Sequence, residues 1–356
     1  MPGAHAVDVL IVSLGSTGGL RAADAELADS LRRAGASVAV AASATPLRRL
    51  RTLALIDLAW ARAAQRAARV ELARQTPRAV IYSSTTAALL WPRPGAIRFD
   101  APSSGNRPGR HGLWQRPLER RRFRQSSLLL PWSEDALREA PVVAREGDRA
   151  LVLPAPVESS VPARISGGAE GSRSDAPCRD IAAITYAANP FKKGLDRVLS
   201  AWRRVLADRR SVHSEELVVA GASAEELRRA GFVLAGEEGV RVVGALRTQD
   251  YRALVRRARV FVCAPRREDY GIAQLEALAD GCLLVTTPAP GPYAALPIAR
   301  KLDPRLVSDD LQRALRTALD DPVADYRTRA REALVPFTHE AIDRVVAEEL
   351  LPRLLA

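Results

Sequence analysis

Cysteine, aromatic side chains, lysine and long apolar runs are all scarce in this sequence of 356 residues. Its three cysteines, Cys178, Cys263 and Cys282, are an odd and scattered set without metal-ligand spacing, which favours a reducing cytoplasm. Two of the three fall in the predicted core. Aromatics make up only 5% of the chain, so bases would find few stacking partners and nucleic-acid binding has little beyond charge to support it. No apolar run approaches the ~20 residues needed to span a bilayer. No basic segment precedes the first strand in MPGAHAVDVLIVSLG, so a secretory signal is not expected. No His/Asp cluster has ligand spacing, and no metal is implied.

What is present describes a soluble globular protein, with 47% hydrophobic and 26% charged residues. The length suits two α/β domains, each with its own core. The net charge of +12 is uneven: residues 1–160 hold 23 arginines against 14 acids. Such a field attracts an anionic membrane surface, a phosphorylated acceptor or nucleic acid, although a high-arginine composition without a specific partner accounts for it equally well.

VDVLIVSLG, STGGL, RAADAELADSLRRAG and ASVAVAAS read as strand, glycine loop, helix and strand, a βαβ unit. PRAVIYSS and GAIRFDAP read as further strands. SLLLPWSEDALREA reads as a strand followed by a helix that Ser133 caps. Leu47 to Gln75 is a long helical stretch rich in alanine and arginine, fit either to cover a sheet or to rest its basic side on a membrane. A second alternation starts near Asp180 and predicts another mostly parallel sheet. The boundaries are therefore a first domain at 1–158, a linker or exposed loop at 159–179, a second domain at 180–335 and a final helix at 336–356. Spacing leaves open whether that helix packs on the second domain or crosses back to the first.

The densest chemical signal is EDYGIAQLE, Glu268 to Glu276. The buried-strand pattern ARVFVCAP precedes it and the helical pattern IAQLEALADG follows, stopped by Gly281. Gly271 then sits at a strand-to-helix corner, where unpartnered N–H groups favour a phosphate. Glu276, one turn in, can accept hydrogen bonds from vicinal hydroxyls, and Glu268 can do the same for a second polyol. Two of the three lysines, Lys192 and Lys193, are adjacent at the start of another predicted helix, in a chain that otherwise uses arginine. A lysine there is a compact charge suited to a phosphate oxygen. SLGSTGGL places Gly18 and Gly19 after the first strand, without the GxGxxG spacing of a dinucleotide fold or the ending of a P-loop. His111 lies in an arginine-rich loop that reads mainly as solvated. Arg116, Arg120, Arg121, Arg122 and Arg124 read as a charged helix face partly paired with Glu119.

KKGLDRVLSAW, LVVAG, VRVVGAL and FVCAPRREDYGIAQLEALADGCLLVTT, in this order and with the early GG loop, resemble the retaining GT-B glycosyltransferases, the family-4-like proteins with a group 1 C-terminal domain. The resemblance is strongest from about Tyr186 to Thr287. It implies two Rossmann-like domains facing across a cleft, the first on the acceptor side and the second holding a nucleotide diphosphate sugar as donor substrate, without other cofactor. Carried onto matching positions, Glu276 would hold the ribose hydroxyls and Glu268 the hydroxyls of the transferred sugar. The amides of Gly271, Ile272 and Ala273 would hold the diphosphate, with Lys193 and Lys192 neutralising it and Gly244 lining the donor side. Gly18 and Gly19 would lie near the diphosphate or acceptor, and Asp100 and His111 on the acceptor side. Glycan, lipid-linked or small-molecule acceptors are implied, with peripheral contact to an anionic inner membrane face.

Three departures stand out. The arginine usual about five residues before the KG lysine is Ala188. The first-domain histidine is replaced in IRFDAP by Phe99 and Asp100. The glycine-rich turn with its glutamate after VTT becomes PAPGPYAAL. These departures keep a non-catalytic nucleotide-sugar or glycan binding protein on the same fold as the alternative.

Overall fold

In the computed structural model, which describes residues 5–45, 52–145, 147–160, 178–208, 215–234 and 239–356, ten strands form two five-stranded sheets with every pairing parallel. The chain divides into two units: Met1–Pro156 with Pro336–Ala356, and Val157–Val335. The residues expected to form a linker fall mostly at 161–177, outside the described residues.

In the first unit the strands are β1 (His5–Ser13), β2 (Val38–Ala42), β3 (Gln75–Tyr82), β4 (Ala96–Phe99) and β5 (Leu129–Pro131), in the order β2-β1-β3-β4-β5. The Val, Ile, Leu and Ala runs of β1, β3, β4 and β5 are largely buried on both faces, as a parallel sheet covered by helices requires, while edge strand β2 leaves Val40 exposed. Ser133 caps the Glu134–Glu139 helix by accepting from the Ala136 amide at 3.1 Å. The terminal helical run, His339–Val345 with its continuation to Leu355, buries Ile342, Val346 and Leu350 against Leu27, Ala28 and Leu31 of the Gly18–Arg33 helix. Asp343 fixes the contact: it accepts from Ser30 Oγ at 2.5 Å and from Arg33 Nε and Nη2 at 2.6 and 2.8 Å. Phe99 is a core residue, its ring 5.2 Å from that of Phe123.

The second unit holds β6 (Ile181–Tyr186), β7 (Leu217–Ala220), β8 (Val240–Gly244), β9 (Ala258–Cys263) and β10 (Leu283–Thr286), ordered β10-β9-β6-β7-β8. After β6 the chain runs outward to β7 and β8, then returns to the other side of β6 for β9 and β10. The strand order therefore reverses between β6 and β9, and in open α/β sheets the crevice beyond the carboxyl ends at such a point is where ligands bind.

Candidate functional site

The two loops that leave the carboxyl ends of β6 and β9 carry the two lysines and Glu268. After β6 the chain makes a tight turn at Asn189–Gly194, closed by the Lys193 amide on the Asn189 carbonyl at 2.9 Å. Gly194 has φ +67°, and a Cβ there would run into the Ala264 carbonyl beyond β9. Only glycine lets this turn lie directly on the next loop. The Arg266 amide then donates to the Lys192 carbonyl at 3.0 Å, joining the two loops. The Arg266 guanidinium sits 4.0 Å over the Phe191 ring and forks Asp196 at 3.0 and 2.8 Å.

This seating brings residues 75 positions apart into contact. Lys193 Nζ donates to Glu268 Oε1 at 2.9 Å and Oε2 at 2.7 Å. Lys192 Nζ donates to Asp269 Oδ2 at 2.6 Å, and Arg267 Nε approaches Asp269 Oδ1 at 3.2 Å. Glu268 is only 4% exposed. Gln274 Nε2 donates to its Oε2 at 2.9 Å.

The helix after this loop runs Ile272–Ala279, with Gly271 at its N-cap in the left-handed conformation, φ +91°. A Cβ on Gly271 would meet the Tyr293 ring at 2.8 Å. No side chain caps this end of the helix, so its first N–H groups carry their partial positive charge toward the carboxyl edge of the sheet. Glu276 lies one turn in, beside Arg252 Nη1 at 3.4 Å. Arg252 is itself fixed by Asp280 at 2.6 Å and by the Glu158 carbonyl at 2.7 Å, and Asp280 also accepts from the Ser160 amide and hydroxyl. Burial raises the Glu276 carboxyl above the ordinary glutamate range, against the opposing pull of Arg252. Tyr186 and Tyr251, whose rings are 5.4 Å apart, complete this side, and their hydroxyls are pushed up first by burial and then by Glu276.

Gly244 ends β8, and its carbonyl accepts from the Gly221 amide at 2.8 Å. The remaining expected positions lie in the first unit. Gly18 and Gly19 are not loop residues: Thr17 caps a helix that starts at Gly18, because its hydroxyl takes the Leu20 amide, and the turn residue is Gly15. Asp100 is half-buried just after β4, bonded to the Ala101 amide at 2.8 Å. His111 is exposed in the Gly109–Gly112 turn. Glu119 does not pair along the arginine face; it turns inward to take the Ser103 amide and hydroxyl, and burial raises its carboxyl. Arg122 leaves that face as well, stacking 5.0 Å from the Trp91 ring.

Sequence reasoning passed over Gln274, Arg252 and Asp269. Gln274 had a signal, an amide directly before the buried Leu275. Arg252 had none, being one arginine of three in its helix. Among the described residues no group of His, Cys, Asp or Glu is arranged to hold a metal, and no helix is long and apolar enough to cross a membrane.

A family model described as glycosyl transferases group 1 matches residues 181–348, which include β6 to β10 with Lys192, Lys193, Glu268 and Glu276. Over those residues the chain is similar to group 1 glycosyl transferases. No curated protein matches the chain by sequence. Among solved structures, the glycosyltransferase WaaG, involved in lipopolysaccharide biosynthesis, is similar with a TM-score of 0.68 at 15% identity, covering 96% of this chain and 100% of its own. Anabaena HepE in complex with UDP and glucose is similar with a TM-score of 0.62 at 13% identity, over 97% and 99% of the two chains. Sucrose-phosphate synthase from Thermosynechococcus elongatus has a TM-score of 0.62 at 15% identity, over 95% and 96%. The two parallel-sheet halves of this chain have the GT-B fold.

Proposed function

We propose that this chain transfers a sugar, with retention at the anomeric carbon, from a nucleotide diphosphate sugar held by the second unit to a glycan, lipid-linked or small-molecule acceptor served by the first. The observation that carries this is the joining of Lys193 and Glu268, at the strand-order reversal, to a helix N-terminus with Glu276 one turn in. The diphosphate takes the amides of Gly271, Ile272 and Ala273 and draws on Lys193 and Lys192. Glu276 accepts from the ribose hydroxyls, Glu268 from those of the sugar, and Gly244 leaves room at the end of β8.

In the reaction the anomeric carbon–oxygen bond breaks and its electron pair goes to the diphosphate. The acceptor oxygen bonds to the same face, and its proton passes to the leaving phosphate oxygen. Charge therefore grows on the diphosphate, and donors already aimed at it lower the barrier without rearranging. No paired carboxyl groups of the glycosidase kind and no metal are needed in this scheme.

The first unit supports a peripheral place at the cytoplasmic face of a membrane: Arg62, Arg66 and Arg69 are exposed along the Leu53–Arg74 helix, as are Leu53, Leu55 and Val70. Binding to anionic vesicles at low salt checks this. A second reading, donor binding without transfer, is favoured by Ala188 in the place of the usual arginine and by core Phe99 in the place of the usual histidine.

A thermal-shift screen of UDP-, GDP-, ADP- and dTDP-sugars, followed by hydrolysis of the best donor, separates the two readings. Turnover lost in Glu268→Ala and Glu276→Ala supports transfer. Binding without turnover supports the second reading, and turnover unchanged in both variants removes the site assignment.

A further inference from the structure

Glu268 is held from behind by a buried polar chain. Gln274 Nε2 donates to Glu268 Oε2 at 2.9 Å and lies 3.6 Å from Cys263 Sγ. Cys263 Sγ is 3.3 Å from Thr286 Oγ1 and 3.5 Å from the Tyr293 hydroxyl, and those two hydroxyls are 3.0 Å apart. Gln274 is 2% exposed, on the third residue of the Ile272–Ala279 helix.

The amide is an unfavourable choice for packing alone. Its Oε1 is buried without a hydrogen-bond partner, a cost of roughly 1–3 kcal/mol that a leucine at this position would avoid. The neighbouring buried positions Leu275 and Leu278 are leucine. What glutamine supplies and leucine does not is the N–H on Glu268.

That bond gains a use once the Lys193 contacts are counted. A carboxylate offers about four acceptor positions. Lys193 occupies one on each oxygen, and Gln274 occupies a further one on Oε2. An anion at the helix N-terminus competes with Glu268 for the single positive charge of the Lys193 ammonium. Without Gln274, a carboxylate released by Lys193 would be free to turn toward whichever donor remained. With it, Oε2 stays fixed and Oε1 keeps one orientation toward incoming hydroxyls.

Resting on the donor site proposed above, we infer that Gln274 is a positioning residue: it fixes Glu268 when a diphosphate draws Lys193 away, and so sets the affinity for the sugar part of the donor and not for the nucleoside diphosphate part. Gln274 touches neither part itself.

The test compares each nucleoside diphosphate with its own sugar conjugate by calorimetric titration: UDP with UDP-glucose, GDP with GDP-mannose, ADP with ADP-glucose and dTDP with dTDP-glucose. The pair that wild type binds most tightly is carried forward. Gln274→Met keeps the shape and removes the donor. It is expected to leave nucleoside diphosphate affinity within about twofold and to lower the extra affinity of the sugar conjugate about tenfold, the size of a lost hydrogen bond to a charged group. Gln274→Asn, which withdraws the amide by one methylene, is expected to act in the same direction and serves if the methionine variant does not fold. Cys263→Ala removes the other neighbour of Nε2 and is expected to keep the wild-type gap. An unchanged gap in Q274M and Q274N overturns the inference, as does an equal loss of both affinities or an equal effect of Cys263→Ala. If wild type binds neither member of any pair, the donor site itself falls.

Discussion

Lys193 reaches both carboxylate oxygens of Glu268, at 2.9 and 2.7 Å, from a turn that lies on the loop of the neighbouring strand β9 only because Gly194 has no side chain. The pair is largely removed from water, with side-chain exposures of 22% and 5%. Removing one partner leaves the other charge poorly compensated, whereas removing both does not. Lys193→Ala is therefore expected to destabilise the fold by about 2 kcal/mol, the usual buried-pair cost discounted for Lys193's exposure. The double variant with Glu268→Ala should recover part of that loss. A double-mutant cycle in urea measures the coupling.

Gly194→Ala tests how the two loops are joined. The added methyl group would meet the Ala264 carbonyl at a positive φ, so the turn must lift off β9's loop. A loss of roughly 2–4 kcal/mol is expected, together with a loss of donor affinity larger than Lys193→Ala produces. Alanine at the open Gly35, where nothing lies within 4 Å of an added Cβ, is the comparison for φ strain alone.

Glu276 gives the donor site an acid limb. Its carboxyl is raised by burial despite Arg252, so it takes up a proton at a pH where an ordinary glutamate near 4.5 is still charged. A neutral carboxyl has lost acceptor capacity for the ribose hydroxyls. Nucleoside diphosphate affinity should then fall as pH drops toward that raised value, and Glu276→Gln should bind weakly with the acid limb flattened. The sign for stability is opposite: because the folded-state value is raised, keeping Glu276 charged costs stability above it, and that cost is relieved as pH falls through it.

Asp343 shows the reverse linkage in the first unit. Hydrogen bonds from Arg33, followed by Ser30, hold its carboxyl below the usual range. Its contribution is present above the unfolded-state value and lost as pH falls through the folded one. Asp343→Asn should lower the melting temperature at neutral pH, by an amount that shrinks toward zero in acid.

Much of the second unit was legible because its signals are local. The run ARVFVCAP, the corner at Gly271 and the helical spacing of Ile272, Leu275 and Leu278 each report on a few adjacent residues, and β9 and the Ile272–Ala279 helix follow them. Strand order is not local, so nothing in the spacing placed β6 beside β9 or showed that Lys193 and Glu268 touch. The two appeared as separate partners for separate parts of a ligand. Gln274 and Arg252 were hidden for a related reason: each matters through a residue distant in sequence, Arg252 through Glu276 and Asp280, and Gln274 through Glu268 and Cys263. In the first unit the sequence reads the glycine pair as loop because glycine suits tight turns and close backbone approach. The Thr17 cap and the packing of Leu27 and Leu31 outweigh that preference.

Calorimetric titration of UDP, GDP, ADP and dTDP into the wild-type protein and into Glu276→Ala and Lys193→Ala tests the donor site most directly. One nucleoside diphosphate should bind wild type, with affinity reduced at least tenfold in each variant. Binding of none of the four, or binding that neither substitution weakens, would contradict it.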